Sequence, residues 1–118
     1  MEINGDVIPR IASGFGGGIG NSGAVCGAVA GAIMAIGLRQ KTPDTMEDVL
    51  RNLADVREFR RRFETEFGTI NCSELTGMDL STEEGVEEFM GSDIPQTVCM
   101  PTVDAAYQLA VEKILELA

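Results

Sequence analysis

The chain has no histidine and no tryptophan. The missing histidine removes the usual proton shuttle at neutral pH, the commonest zinc ligand and the usual axial haem ligand. Ser-His or Cys-His hydrolysis within one chain is thereby excluded. Positive charge is scarce: 9 Lys+Arg stand against 19 Asp+Glu, a net charge of −10. That balance argues against nucleic acid and against anionic membrane surfaces as partners. Cysteines number three, an odd count at long spacings, and Met1 to Arg10 carries charges where a secretory leader would be apolar. This is no disulfide framework, and the expectation is a cytoplasmic protein whose thiols are reduced at rest. Strand-like alternation is almost absent too.

What is present suits one folded domain over residues 1–118, with 44% hydrophobic and 24% charged residues. The start and stop signals predict an all-α chain, a bundle of about five helices with a glycine-rich loop before a buried apolar helix. Asp6 caps a helix over Val7 to Ser13, ended by Gly14. Ser22 caps the apolar helix from Gly23 to Leu38. Thr42-Pro43-Asp44 starts a long helix from Pro43 to Phe67, with Met46, Val49, Leu50, Leu53, Val56, Phe59, Phe63 and Phe67 as its apolar stripe. Gly68 stops it, and Asn71 caps a turn through Thr76. Ser81-Thr82-Glu83-Glu84 resembles a capping box ahead of a helix from Thr82 to Met90. A last helix begins at Thr97 or Pro101, with Val103, Ala106, Tyr107, Ala110, Ile114 and Leu117 facing inward.

The stretch from Gly14 to Leu38, GFGGGIGNSGAVCGAVAGAIMAIGL, admits three readings. Gly18-Ile19-Gly20-Asn21-Ser22-Gly23 matches G-x-G-x-x-G, with Asp44 near the place of a ribose ligand. No strand precedes it, however, and a dinucleotide site needs one. Ala24 to Leu38 falls short of the ~20 residues of a membrane span and lacks aromatic anchors. The third reading is structural. Gly23, Gly27 and Gly31, continued by Ala35, leave one helix face almost bare. Each such glycine costs about 1 kcal/mol against alanine, which close packing of a helix or a cofactor would offset. A helix this apolar all round calls for cover on every side, so a second copy of the chain is expected, as a homodimer.

Cys26, Cys72 and Cys99 all fall at or near predicted helix N-termini. Unpaired N–H groups and the positive dipole end favour a thiolate there, and the thiolate is both nucleophile and metal ligand. Convergence of the three would permit an iron–sulfur cluster or other soft metal, thiol–disulfide exchange, or a redox-sensing thiolate. A metal would still need a fourth ligand. The bland alternative is that each cysteine fills the core as a small hydrophobe.

Three segments carry a resemblance: "SGFGGGIGNSGAVCGAVAG" with Cys26-Gly27-Ala28 and Gly31, "FGTINCSELTGMDLST" with Cys72, and "TVCMPTVDAA" with Cys99. Together they resemble the redox-active proteins named for the pattern C_GCAxxG_C_C. The resemblance implies an all-helical domain with four cysteines and redox activity, and a similar domain occurs in split-Soret cytochrome c, where an iron–sulfur centre has been proposed. No C-x-x-C-H is present, so haem does not carry over. The family's first cysteine precedes the glycine loop, in a helix that would have ended before Met1-Glu2-Ile3. The expectation is a shortened member without that cysteine, or a misassigned start.

Two functions follow as expectations. In the first, Cys26, Cys72 and Cys99 act catalytically or as metal ligands in a thiol- or cluster-based oxidoreductase served by an unidentified redox partner. Gly16, Gly17, Gly18 and Gly27 then bring backbone to a cofactor, Phe15 plugs the core or covers that cofactor, and Arg10 orients an anion or a thiolate, or lies on the surface. In the second, the chain is a non-catalytic structural or regulatory dimerisation domain with inert cysteines. Arg57 to Phe63 reads as a solvated basic face with pairs such as Glu58 to Arg62. Glu83, Glu84, Glu87 and Glu88 read as another exposed face.

Overall fold

A computed structural model describes residues 5–117. The expectations on Met1 to Asn4 lie outside the described residues. Six α-helices follow one another: α1 Val7–Ala12, α2 Gly27–Arg39, α3 Met46–Phe67, α4 Cys72–Thr76, α5 Glu83–Met90 and α6 Met100–Glu116. A 3-10 turn, Ser13–Phe15, extends α1, and a π-helical turn, Pro95–Cys99, runs directly into α6. Among the described residues the chain is all-α, with no strand and one isolated antiparallel bridge between Val25 and Asn71.

The core is a three-helix junction. Val29, Ala32 and Ile36 of α2 meet Phe59 and Phe63 of α3 and Ala106 and Ala110 of α6. The two alanines let α2 and α6 approach closely, while the phenylalanines fill the third corner and the Phe63 and Phe67 rings stack at 4.7 Å. Gly68 stops α3 as expected: with φ at +79° its N–H reaches back 2.7 Å to the Glu64 carbonyl.

Four sequence expectations need correction. First, α2 starts at Gly27 and is capped by Cys26, not by Ser22. The Cys26 N–H donates to Ile70 O at 2.7 Å, and Ala24 O and Gly23 O accept from the Cys72 and Ser73 N–H groups, so residues 23–26 pair with the segment 70–73 rather than forming a helix. Gly23 therefore leaves the bare glycine row. Gly27 is covered by the Phe15 carbonyl, and a side chain at Gly31 would meet open space.

Second, α3 starts at Met46 rather than Pro43. Thr45 Oγ1 accepts from the Asp48 N–H at 3.1 Å, and the Asp48 carboxylate accepts from the Asp44 N–H at 3.1 Å, a reciprocal pair that fixes the start. Of its expected stripe, Met46, Leu50 and Leu53 are more than half exposed, because only the second half of α3 packs on the core.

Third, Val103 and Tyr107 of α6 point outward, and Thr102, Ala106, Ala110 and Lys113 are the buried face. Lys113 is tolerated inside because Nζ donates to Glu58 at 2.7 Å and Glu116 at 2.9 Å, with Arg62 joining both carboxylates. Fourth, Thr82 rather than Ser81 caps α5, its Oγ1 accepting from the Gly85 N–H at 3.0 Å, while Ser81 turns to Asp79. The basic face of α3 pairs as expected, Glu58 with Arg62 and Arg60 with Glu64. No helix among the described residues is long and apolar enough to cross a membrane.

Candidate functional site

The glycine-rich loop is wound left-handed. Gly17, Gly18, Ile19, Gly20, Asn21 and Gly23 all have φ between +59° and +74°. Only glycine adopts such a run without strain, and Ile19 carries strain of roughly 1–2 kcal/mol. The N–H groups of Ile19 through Ala24 all donate to carbonyls inside the loop or the turn before it. Those amides tie the loop to itself instead of cradling a phosphate, and no strand precedes it among the described residues. The G-x-G-x-x-G match therefore has neither of the features a dinucleotide site requires.

The loop exists to bring backbone against Cys72. Gly18 is buried, and a methyl group there would stand 2.7 Å from Cys72 Cβ and 2.6 Å from the Ala24 backbone. Beyond the loop the chain crosses residues 70–73. Cys26 and Cys72 follow Val25 and Asn71 on the two sides of the bridge, so both project from the same side of it. Cys99 comes from the opposite direction, at the end of the π-helical turn. Such turns recur at functional sites.

These elements enclose a cavity of about 360 Å³, and Cys26, Cys72 and Cys99 all line it. Each is a half-buried free thiol. Gly17, Gly18 and Gly27 of the expected backbone contacts are on the wall; Gly16 is not, and is exposed. Arg10 is exposed on α1 and Phe15 is half-buried beside Gly27, both away from the wall. The four glutamates of α5 are exposed, while Val86 and Phe89 of the same helix face the cavity.

Cys72 and Cys99 are not the stabilised thiolates expected from helix N-termini. Burial pushes the Cys72 thiol up, and the charges of Cys26 and Cys99 push it further, against a lowering hydrogen bond from Thr76. Burial, then the charge of Cys26, pushes Cys99 up. The local reasons are plain. Cys99 lies at the end of a helical turn that began near Ile94, so it does not face free amides. Cys72 opens a helix of 5 residues, too short for a useful dipole. The mutual repulsion is itself informative, because each ionised sulfur is near enough to oppose the next.

Three sulfurs are soft donors of the right kind for an iron–sulfur cluster or another soft metal. The set does not complete a site, however. Among the described residues no three Cys, His, Asp or Glu side chains stand together as metal ligands. Among the described residues the cavity wall offers no carboxylate as a fourth.

Sequence reasoning missed two threonines. Thr76 and Thr102 are buried on the wall, and their hydroxyls donate to the carbonyls of Cys72 at 2.8 Å and Cys99 at 2.7 Å. The readable signal was spacing: each threonine follows its cysteine by one helical turn, where a hydroxyl reaches back to the preceding carbonyl.

The profile of the family described as "Putative redox-active protein (C_GCAxxG_C_C)" matches residues 1–113. No curated protein and no solved structure matches the chain. With nearly the whole chain covered by that profile, and its three cysteines gathered on one cavity, the chain belongs to the C_GCAxxG_C_C family.

Proposed function

We propose that the protein is a thiol–disulfide redox protein whose centre is the Cys26, Cys72 and Cys99 cavity. The carrying observation is that three free thiols from distant parts of the chain line one cavity. A thiol rather than a metal reaction is favoured because the donors for a complete metal site are not together. In the forward direction one cysteine, as thiolate, attacks a sulfur of an external disulfide. The S–S bond breaks and one thiol leaves with a proton. A second cysteine then attacks the mixed disulfide, releasing the other thiol and leaving an S–S bond within the chain. Two electrons pass from the protein to the external disulfide, and an external dithiol returns them. The third cysteine offers an alternative partner.

Oxidation of the reduced protein by a cyclic disulfide, followed by alkylation and peptide mass mapping, tests this. The expected product has one intramolecular bond between two of the three cysteines, reversed by dithiothreitol. Three independently alkylatable thiols after oxidation would overturn it. An iron–sulfur or other soft-metal centre is the second reading, favoured by the same gathering of soft donors and needing a ligand from elsewhere. Iron and sulfide bound stoichiometrically after anaerobic purification, with visible absorbance, would replace the thiol reading by that one. Homodimer formation belongs to this proposal as well. It is supported by the exposed apolar side chains of α1 and of α2, such as Ile8, Ile11, Met34 and Leu38. Sedimentation yielding a monomer at all concentrations would remove it.

A further inference from the structure

The wall of the thiol cavity restricts what reaches the sulfurs. Apart from the thiols, none of the described residues on it carries a charge at any pH between the carboxylate and lysine ranges. Leu75, Leu80, Val86, Phe89 and Val98 make one side apolar. The Thr102 hydroxyl is turned to the Cys99 carbonyl, and that of Thr76 is shared between the carbonyl and the sulfur of Cys72. The apolar surface continues outward, for Met90 and Val103 belong to the wall and are 70% and 46% exposed at its edge. Next to Val103 along α6, Met100 and Tyr107 extend the same surface. Outside, the net charge of −10 and the glutamate face of α5 repel anions.

From this lining we infer that the cavity's reactant is a small, uncharged, apolar disulfide, and that anionic disulfides are rejected. The inference rests on the thiol–disulfide reading and names the substrate class of that site. A carboxylate entering the cavity meets no cation, and a buried unpaired charge is costly enough to keep it out. At about 360 Å³ the cavity is at the small end of ligand pockets, which limits the reactant to a few rings or short chains. The step is the exchange already written: R–S–S–R accepts two electrons and two protons and leaves as two R–SH, while two cysteines become one disulfide.

Two chromogenic disulfides test it on the reduced protein, the neutral 2,2′-dithiodipyridine and the dianionic 5,5′-dithiobis(2-nitrobenzoate). Both rates are measured for the folded chain and for the same chain unfolded in urea, in about 1 M salt, where the Debye length is about 3 Å and the protein's overall field is screened. The folded chain should prefer the neutral reagent over the dianion by about tenfold or more beyond the preference of the unfolded chain. Val103→Lys, at a half-exposed edge position, should narrow that preference by speeding the dianion. An equal preference in folded and unfolded chains overturns the inference, as does a Val103→Lys variant that folds and keeps the full preference. The two proposals fail separately. A flat preference with an intramolecular disulfide formed sinks the substrate class alone. A neutral preference with three separately labelled thiols and no internal bond sinks the exchange reading.

Discussion

Replacing Gly18 with alanine should damage the fold far more than the same change at Gly20, and the cost divides into two parts. Gly18 has φ at +74°, which costs a residue with a Cβ roughly 1–2 kcal/mol. The new Cβ would also lie 2.6 Å from both N and O of Ala24 and 2.7 Å from Cys72 Cβ. Those neighbours are backbone and a half-buried cysteine, so none swings aside cheaply, and overpacking of this kind costs about 1–3 kcal/mol. The total is about 2–5 kcal/mol, a large share of the ~5–15 kcal/mol that holds a domain together. Gly20→Ala is the control. Gly20 has φ at +61°, but nothing stands within 4 Å of its Cβ. It should lose only the conformational part. Urea titration followed by helical circular dichroism reads both variants, with equal slopes showing that the unfolding reaction is the same. Because Ala24 O accepts from the Cys72 N–H at 2.7 Å, the clash also displaces the cysteine, so disulfide formation in Gly18→Ala should slow while Gly20→Ala keeps its rate. If the two variants are equally stable within about 0.5 kcal/mol, the loop does not press on Cys72 and the account of its glycines is wrong.

Three further outcomes follow from the same geometry. Burial and neighbouring charge push Cys72 and Cys99 up, so the folded chain keeps protons that the unfolded chain releases. Stability should be level below the ordinary thiol range, near ~8.5, and fall above it until the folded thiols ionise too; Cys72→Ser should flatten that fall in urea midpoints measured across the range. Thr76→Val removes the hydrogen bond that lowers Cys72 and leaves the Met78 N–H without its hydroxyl acceptor at 3.2 Å. It should cost about 1–3 kcal/mol and move Cys72 alkylation to higher pH, whereas Thr76→Ser should keep the original profile. Lys113 is 3% exposed and held by Glu58 and Glu116. Lys113→Met should change stability by no more than about 1 kcal/mol, while Glu58→Gln with Glu116→Gln strands the buried ammonium and should lower the thermal midpoint further.

The parts of the fold that local chemistry dictates are legible in the chain. Gly68 ends α3, Asn71 precedes α4 and the acidic start of α5 lies where capping residues put it, because each signal is complete within one turn. The start of α2 is different. Ser22-Gly23 is a good local start, but the amides of Cys26, Cys72 and Ser73 enter a pairing between residues 23–26 and 70–73 that no local rule contains. The inward face of α6 depends on the same kind of distant contact: a lysine reads as exposed until two carboxylates, one of them on α3, hold it. At α3 the local signal is complete, since Thr45 with Asp48 forms a capping pair that outcompetes the proline start at Thr42-Pro43-Asp44.

The cysteines divide along the same line. Their meeting on one cavity agrees with the resemblance, but the acidity of Cys72 and Cys99 does not follow from their helices. A helix end favours a thiolate only where free amides or cations face the sulfur, and this wall sets apolar side chains and two other thiols there instead. Each sulfur that ionises raises the cost of the next, and no arginine or lysine on the wall offsets the charge. The arrangement therefore favours Cys72 and Cys99 in neutral form, as S–H groups or in an S–S bond, over thiolates. In the proposed exchange this places the demand for deprotonation at the moment of attack. With Cys72 or Cys99 as the attacking thiol, the rate with a neutral disulfide should then rise with pH beyond the ordinary thiol range, up to that cysteine's raised pKa. A rate already level at neutral pH would show that a thiolate stands ready in the cavity, and the neutral-sulfur argument would fall.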